Sequence, residues 1–579
     1  MTERPTEYAH AAAGATPGSP GSRKWFGHPR GLATLFFTEM WERFSYYGMR
    51  ALLVLFMTAP IAVANPGLNF NVGKAAAIYG LYTSMVYLLA LPGGWVADKI
   101  WGQRRAVFVG GCIIASGHFS MAAPMLGLPD QLFFYLGLFL IVIGTGLLKP
   151  NVSTMVGGLY PKPDEAGHEA AGDGSDWGAR RDAGFSIFYM GINLGAILGP
   201  FICGTLGENI NWHWGFSAAG FGMILGLIQY RRGGKYLGDV GRLDTGEPAE
   251  VVARRSRNFY LVAAAVAGVV GLFILLATGG TIGVSLQGFA TWLGYGILLL
   301  TILFFTYLIL SPAWGLLIAA VFALLVALLL PRVGANLAGQ YATLVVLALF
   351  ILLNGGFLAA GGVRVTLEKR RLMTIFWLFL LAAVFWSGFE QAGSSMNLFA
   401  RDLTDRTYFG WEMPTTWLQN VNPFFIVVFA PVFGWLWTWL AHRRANPPIP
   451  VKFALGLFGL SAGFFVLSWG AANATPENPV SPAWLIVTYF LHTCGELALS
   501  PVGLSSMTKL APRGRVGQMM GVWFIAAALG NLIAGLVAGS LESLAPVALF
   551  RNVALIVGGV GVVALVASPG IRKLMGAVE

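Results

Sequence analysis

Apolar and polar positions alternate along this chain on a long scale: apolar runs of helix length, separated by short polar connections. The first six runs cover about 32–58, 76–96, 106–126, 131–150, 184–204 and 213–229. A basic loop follows from Arg231 through Arg257, then runs at about 258–278, 288–310, 313–330 and 341–361. The last six lie at about 373–399, 419–440, 452–470, 482–504, 516–537 and 545–567. Runs of this kind match the roughly 20 residues that a helix needs to cross a bilayer. The apolar count is sixteen, arranged as six, four and six. Ser311-Pro312 separates two of the middle four by a very short turn. The proline suits a kink inside one longer element equally well.

Charge in the connections sets an orientation. Lys and Arg gather in alternate loops: Lys99, Arg104 and Arg105, then Lys162, Arg180 and Arg181, then Arg231, Arg232 and Lys235. Further on come Lys369, Arg370 and Arg371, then Arg443 and Arg444, then Lys509, Arg513 and Arg515. The other short loops are nearly free of bases, except 400–416, where Arg401 and Arg406 sit among Asp402, Asp405 and Glu412. The positive-inside rule then puts both termini in the cytoplasm. Composition agrees with a multi-pass protein: 56% of the 579 residues are hydrophobic, 11% are charged, and mean hydropathy is +0.68. A soluble domain carries roughly a quarter charged residues. The net charge of +11 is therefore membrane orientation, not affinity for nucleic acid. Cys112, Cys203 and Cys494 stand in apolar surroundings without metal-ligand spacing, and 76 glycines suit close helix packing. Residues 1–24 read as a flexible cytoplasmic tail with no cleavable signal peptide.

One run breaks the apolar rule. Between Leu32 and Met57 it carries Glu39, Glu42, Arg43, Tyr46, Tyr47 and Arg50, at helical steps of three and four. Such charges are costly in lipid, so this face should line a polar cavity. The bland alternative is an interfacial cluster with snorkelling bases. Arg50 lies about twenty residues in from Arg30, so snorkelling does not relieve the whole set. Glu39 followed by Glu42-Arg43-Phe44 and Tyr46-Tyr47-Gly48 resembles the first-helix signature of the proton-dependent oligopeptide transporters, a branch of the major facilitator superfamily.

The resemblance extends along both halves. Gly93-Gly94-Trp95-Val96-Ala97-Asp98-Lys99 resembles the superfamily loop after helix two. There the glycines should permit a close crossing, Gly94 marks the structural loop, and Asp98 should bond neighbouring helix ends. Tyr87 matches a cavity tyrosine. Lys149 closes the 131–150 run and reads either as a snorkelling terminal lysine or, if the helix continues through Pro150 toward Gly158, as a deeper base. The resemblance favours the second and makes it a partner for a peptide carboxylate. Asn193 lies in a stretch similar to the second family signature, where it contacts the peptide amino terminus; helix glue is the alternative. Glu390, beside Trp386, is a lone intramembrane acid, and the resemblance pairs it with Arg50 as a gate. Asn422 is either another amino-group contact or a helix-start residue. Glu496 and Ser500 share a face ahead of Pro501, which should bend its helix. The resemblance makes Glu496 the acid that binds the peptide amino terminus and can pair with Lys149. Trp523 is either a cavity tryptophan or a packing residue.

The expected fold is all-α and polytopic: two six-helix bundles at 25–230 and 371–570, a basic loop and accessory helices at 231–370, and a tail at 571–579. The family favours two extra helices and so fourteen in all; apolarity favours four. The expected function is proton-coupled symport of di- and tripeptides across the inner membrane by alternating access. Glu39, Glu42, Arg43 and Glu390 would couple the proton. The peptide contacts would be Arg43, Tyr46, Tyr47, Arg50, Tyr87, Lys149, Asn193, Trp386, Asn422, Glu496, Ser500 and Trp523. Protons are the coupling ion, and no cofactor or metal is expected. Lipid is the surrounding partner, and a monomer is the functional unit. The rivals are the same fold with nitrate or a drug-like molecule as substrate, and a non-transporting sensor or membrane enzyme. No nucleophile–base or metal cluster supports the enzyme.

Overall fold

The computed structural model describes residues 24–160, 177–278, 285–309, 366–512 and 515–576, with residue 283. The expected runs at 313–330 and 341–361, and most of the tail at 1–24, lie outside these residues. Twelve helices are long and apolar enough to cross a membrane. Two more, Gly31–Thr58 and Trp212–Gly233, have the length, and the first carries the buried charges. The described residues therefore hold fourteen long helices.

The first half comprises α1 (Gly31–Thr58), α2 (Val72–Trp101), α3 (Gln103–Ala122), α4 (Asp130–Gly158), α5 (Trp177–Asn209) and α6 (Trp212–Gly233). Two accessory helices follow, α7 (Ala249–Thr278) and α8 (Leu286–Ile309). The second half comprises α9 (Leu367–Phe389, extended by Ser395–Asp402), α10 (Val421–His442), α11 (Ile449–Ala472), α12 (Ala483–Leu510), α13 (Val516–Gly539) and α14 (Pro546–Met575). Both halves run a few residues past the expected boundaries, because helices continue into the polar layer.

Local chemistry marks several ends. The Asn71 side chain accepts the Lys74 N–H at 2.8 Å to cap α2. Asp130 opens α4, where a negative charge complements the helix dipole. Proline stands in the first turn of α11 and α14, where its missing N–H costs nothing. α4 runs on through Pro150, so Lys149 lies well inside it. α12 likewise runs unbroken through Pro501. The helix continues there because a proline removes a single donor and neighbouring helices hold the rest.

The two halves meet most closely at the end that carries the 59–71 and 403–414 connections. There α2 lies against α13 with almost no side chain between them. A Cβ on Gly535 would stand 2.5 Å from the Ala76 carbonyl oxygen, and one on Gly80 2.9 Å from the Gly535 Cα. Asn397 donates to the Ala51 carbonyl at 2.9 Å, and Arg401 donates to the Thr58 hydroxyl at 2.7 Å. Leu398 of the second half is buried in the apolar core of the first. Toward the other end, beyond mid-depth, no hydrogen bond or ion pair joins the halves among the described residues. Polar contacts thus join the halves at one end, the closed end, and none does so toward the other among the described residues.

The accessory pair divides. No residue of the most apolar window of α7 is buried; it is tied to the first half by the Tyr260 hydroxyl, 2.8 Å from the Trp101 indole N–H. α8 is different. Ala290, Ile297, Leu298, Ile302 and Phe305 enter the core of the second half, and α8 also touches α2. A lipid-facing role fits α7 only.

The loop after helix two needs a correction. The close crossing falls on Gly93, where a Cβ would lie 2.0 Å from the Gly146 carbonyl oxygen, whereas Gly94 has open space. Asp98 is exposed in the π-helical turn Ala97–Trp101 and bonds no helix end among the described residues. The turn already supplies its own backbone partners, so the carboxylate stays in water. Gly93→Ala is expected to lower the melting temperature through overpacking of about 1–3 kcal/mol. Gly94→Ala should leave it unchanged. Thermal melts of the two variants in detergent check this.

Candidate functional site

Helical spacing on α1 places Glu39, Glu42 and Arg43 on one buried surface. Their exposures are 3%, 1% and 4%, so all three are held away from solvent. Arg43 Nε stands 2.5 Å from Glu42 Oε2 and 3.0 Å from Glu39 Oε1. Neither contact has in-line hydrogen-bond geometry. Arg43 Nη2 and Glu39 Oε2 are thus buried without a hydrogen bond among the described residues. Two carboxylates around one guanidinium carry a net charge of about −1, which one proton would cancel.

Lys149 reaches toward this set from α4. Its ammonium lies 3.8 Å from the centre of the Tyr87 ring, within electrostatic reach of Glu42 and Glu39. A cation over an aromatic face is attracted by the ring quadrupole. Tyr46 is buried beneath the Arg43 guanidinium, 5.4 Å from ring centre to Cζ, and stacks on Tyr82. The first half therefore gathers Arg43, Lys149, Tyr46 and Tyr87 with the two acids.

About two turns further along α1, Arg50 joins the halves. Its Nη2 lies 2.5 Å from Glu390 Oε2, and its Nε donates to the Tyr79 hydroxyl at 2.6 Å. Gly393 lets this happen: a Cβ there would collide with the Tyr79 hydroxyl at 2.1 Å. Beside the pair, a small pocket is lined by Tyr47 and Pro200 from the first half, and by Phe389, Gln419, Asn422 and Tyr489 from the second. Asn422 donates to the Thr493 hydroxyl at 2.9 Å and lies 3.4 Å from Glu496 Oε2. Asn422 and Glu496 are thereby brought together from two helices.

Other expected contacts fall elsewhere. Trp523 is a packing residue: its ring fills the space above Gly503, edge-on to Phe453 and 5% exposed. Trp386 is half-buried in the second half, edge-on to Phe385 and Phe389, and outside the small pocket. Asn193 bonds the Tyr189 carbonyl of its own helix at 3.0 Å and bonds no second helix among the described residues. Ser500 shares the Glu496 face but makes no bond to it. Lys149 and Glu496 are not paired in this structure.

Tyr79, Tyr82 and Tyr489 escaped sequence reasoning. The signal for the first two was present: Tyr79 and Tyr82 are three apart and precede the matched Tyr87 on the same helix. Tyr489 stands seven residues before Glu496 on the same face of α12. Among the described residues no group of His, Cys, Asp and Glu has metal-holding geometry. His492 is buried against the Phe464 ring, 4.7 Å between centres.

Two helical bundles closed at one end around an ionised cleft define a membrane transporter of the major facilitator type. Residues 104–254 and 357–549 match the model of the POT family. The peptide transporter YePEPT of Yersinia enterocolitica is 38% identical over 91% of this chain and 90% of its own. The di-/tripeptide transporter of Lactococcus lactis subsp. cremoris is 34% identical over 96% of this chain and 98% of its own. The crystal structure of a POT family transporter in complex with 5-aminolevulinic acid superposes with a TM-score of 0.75, at 30% identity, covering 95% of this chain and 99% of that one. The chain belongs to the POT family.

Proposed function

We propose that this protein is a proton-driven symporter of di- and tripeptides, acting as a monomer in the inner membrane with both termini in the cytoplasm. The observation that carries this is the division of charge across one cleft. The first half presents Arg43 and Lys149 with a proton-accepting pair of acids; the second presents Glu496 with Asn422. A peptide zwitterion has one end for each side. Relatives named as peptide and di-/tripeptide transporters support the substrate class. The relative that holds 5-aminolevulinic acid binds a molecule with the same two charged ends. Such a cleft grips the termini and leaves side chains free, so tolerance of varied sequences follows. Nitrate fits less well, because it has no amino group to offer Glu496. Under this orientation the closed end faces outward.

Uptake of a labelled dipeptide into proteoliposomes, with and without an inward proton gradient, tests the proposal. Accumulation only with the gradient is expected; indifference to it would defeat the coupling. Glu496→Gln should weaken dipeptide binding by about 1.5–3 kcal/mol, the worth of a hydrogen bond to a charged group. Calorimetric titration of one dipeptide into both proteins measures this, and unchanged affinity would remove Glu496 from the site.

A further inference from the structure

Two carboxylates cross the seam at the closed end, and neither belongs to the charged cleft. Glu208 stands at the end of α5, the fifth helix of the first half. Its Oε2 accepts the Thr415 N–H at 2.8 Å; its Oε1 accepts the Thr416 N–H at 2.9 Å and the Thr416 hydroxyl at 2.8 Å. Those amides open the Thr415–His442 span, which holds α10, the second helix of the second half. Glu542 follows α13, the fifth helix of the second half. Its Oε1 accepts the Gly73 N–H at 2.8 Å, in the first turn of α2, the second helix of the first half.

The same contact therefore occurs twice. In each case a glutamate ending the fifth helix of one half caps the second helix of the other. The halves of this fold are parallel repeats about an axis along the membrane normal, and that operation carries one contact onto the other. We propose that Glu208 and Glu542 are repeat-related latches that hold the closed end shut and must both release before it opens. The proposal rests on the alternating-access reading above.

The physics suits a latch. The first amides of a helix have no partner within it, and the helix dipole favours a negative charge there. Each carboxylate satisfies amides of the opposite half, so separating the halves returns both groups to water. Space is reserved for the contact: a Cβ on Gly73 would stand 2.8 Å from the Glu542 carboxylate, and one on Gly204 1.9 Å from the Thr416 hydroxyl. Beside the first latch, Trp417 stacks on Phe201 at 4.2 Å and donates to the Thr205 hydroxyl at 2.9 Å. The two latches are unequal. Glu208 is half-buried with three bonds, whereas Glu542 is exposed with one and is more screened. Arg50–Glu390 lies deeper; it closes the floor of the cleft, while the latches close the rim.

Hydrogen–deuterium exchange of the full chain in lipid nanodiscs tests this. The readout is amide exchange in the two stretches that begin at Gly73 and at Thr415. A local cap protects only its own amides. Glu208→Gln is expected to speed exchange about tenfold at both stretches, the equilibrium shift for losing one charge-assisted interaction. Glu542→Gln should do the same with a smaller factor. Acceleration confined to the stretch facing the altered residue would overturn the proposal. If Glu208→Gln fails to fold, Thr416→Val removes one of the three bonds and leaves the charges. It should give a several-fold rise at both stretches, and a flat response at Gly73 would be equally decisive. Failure of the unsubstituted protein to take up peptide would defeat the transport reading without touching this result.

Discussion

Glu39→Gln combined with Glu42→Gln is expected to abolish gradient-driven peptide accumulation while sparing much of peptide counterflow. The two acids share one guanidinium, at 3.0 and 2.5 Å from Arg43 Nε, and all three are buried. With both acids ionised the set carries excess negative charge beside Lys149. On the proposed coupling, taking up one proton would cancel it and free Arg43 to turn toward Lys149 and a peptide carboxylate. By linkage, bound peptide must in turn favour the protonated set. Both acids face the same guanidinium, so the double variant, not either single one, is the decisive test. Glutamine keeps the shape but neither takes nor releases a proton. Exchange of internal for external peptide moves no net proton and should persist. The assay compares uptake under an imposed gradient with counterflow without one, in the same proteoliposomes. Accumulation that survives in the double variant would mean that the proton is carried elsewhere, and Glu390 becomes the residue to change.

Much of this site is visible in the chain because membranes make charge conspicuous. Glu39, Glu42, Arg43, Arg50, Lys149, Glu390 and Glu496 each interrupt an apolar run, and all of them lie on helices that face the cleft or the seam. The meeting of Asn422 with Glu496 joins residues 74 positions apart on α10 and α12. No periodicity within one helix reports that. Tryptophans fared worst: Trp523 fills a gap over Gly503, and an aromatic at helical spacing looks the same whether it lines a cleft or a core. Which of the two glycines makes the crossing was not legible, since Gly93 and Gly94 are identical in type and differ only in the neighbour each faces. Glu208 and Glu542 were passed over because they lie at helix ends, where a charge needs no explanation. Only the fold shows that each reaches the other half.

Arg50→Ala is expected to open the closed end. Arg50 and Glu390 meet at 2.5 Å in buried surroundings, with Tyr79 as the third member. Removing one partner of a buried pair leaves an uncompensated charge, at a cost of about 3–5 kcal/mol. The penalty falls on the closed arrangement, because Glu390 regains water once the halves separate. A permanent pair would lock the transporter, so pairing in one state and release in the other is what alternating access requires. Leu398 is the natural reporter: it belongs to the second half, yet is buried in the core of the first. In Leu398→Cys protein, a membrane-impermeant maleimide should react slowly, and at least tenfold faster once Arg50→Ala is added. Arg50→Lys should fall between, because an ammonium lacks the planar fork that serves Glu390 and Tyr79 together. Glu390→Gln should open the end less than Arg50→Ala does: the amide can still accept from the arginine, whose guanidinium stays over the Tyr47 and Tyr79 rings. Equal, slow labelling in all four proteins would mean that the Gly80–Gly535 crossing and the rim contacts hold the end shut without the pair.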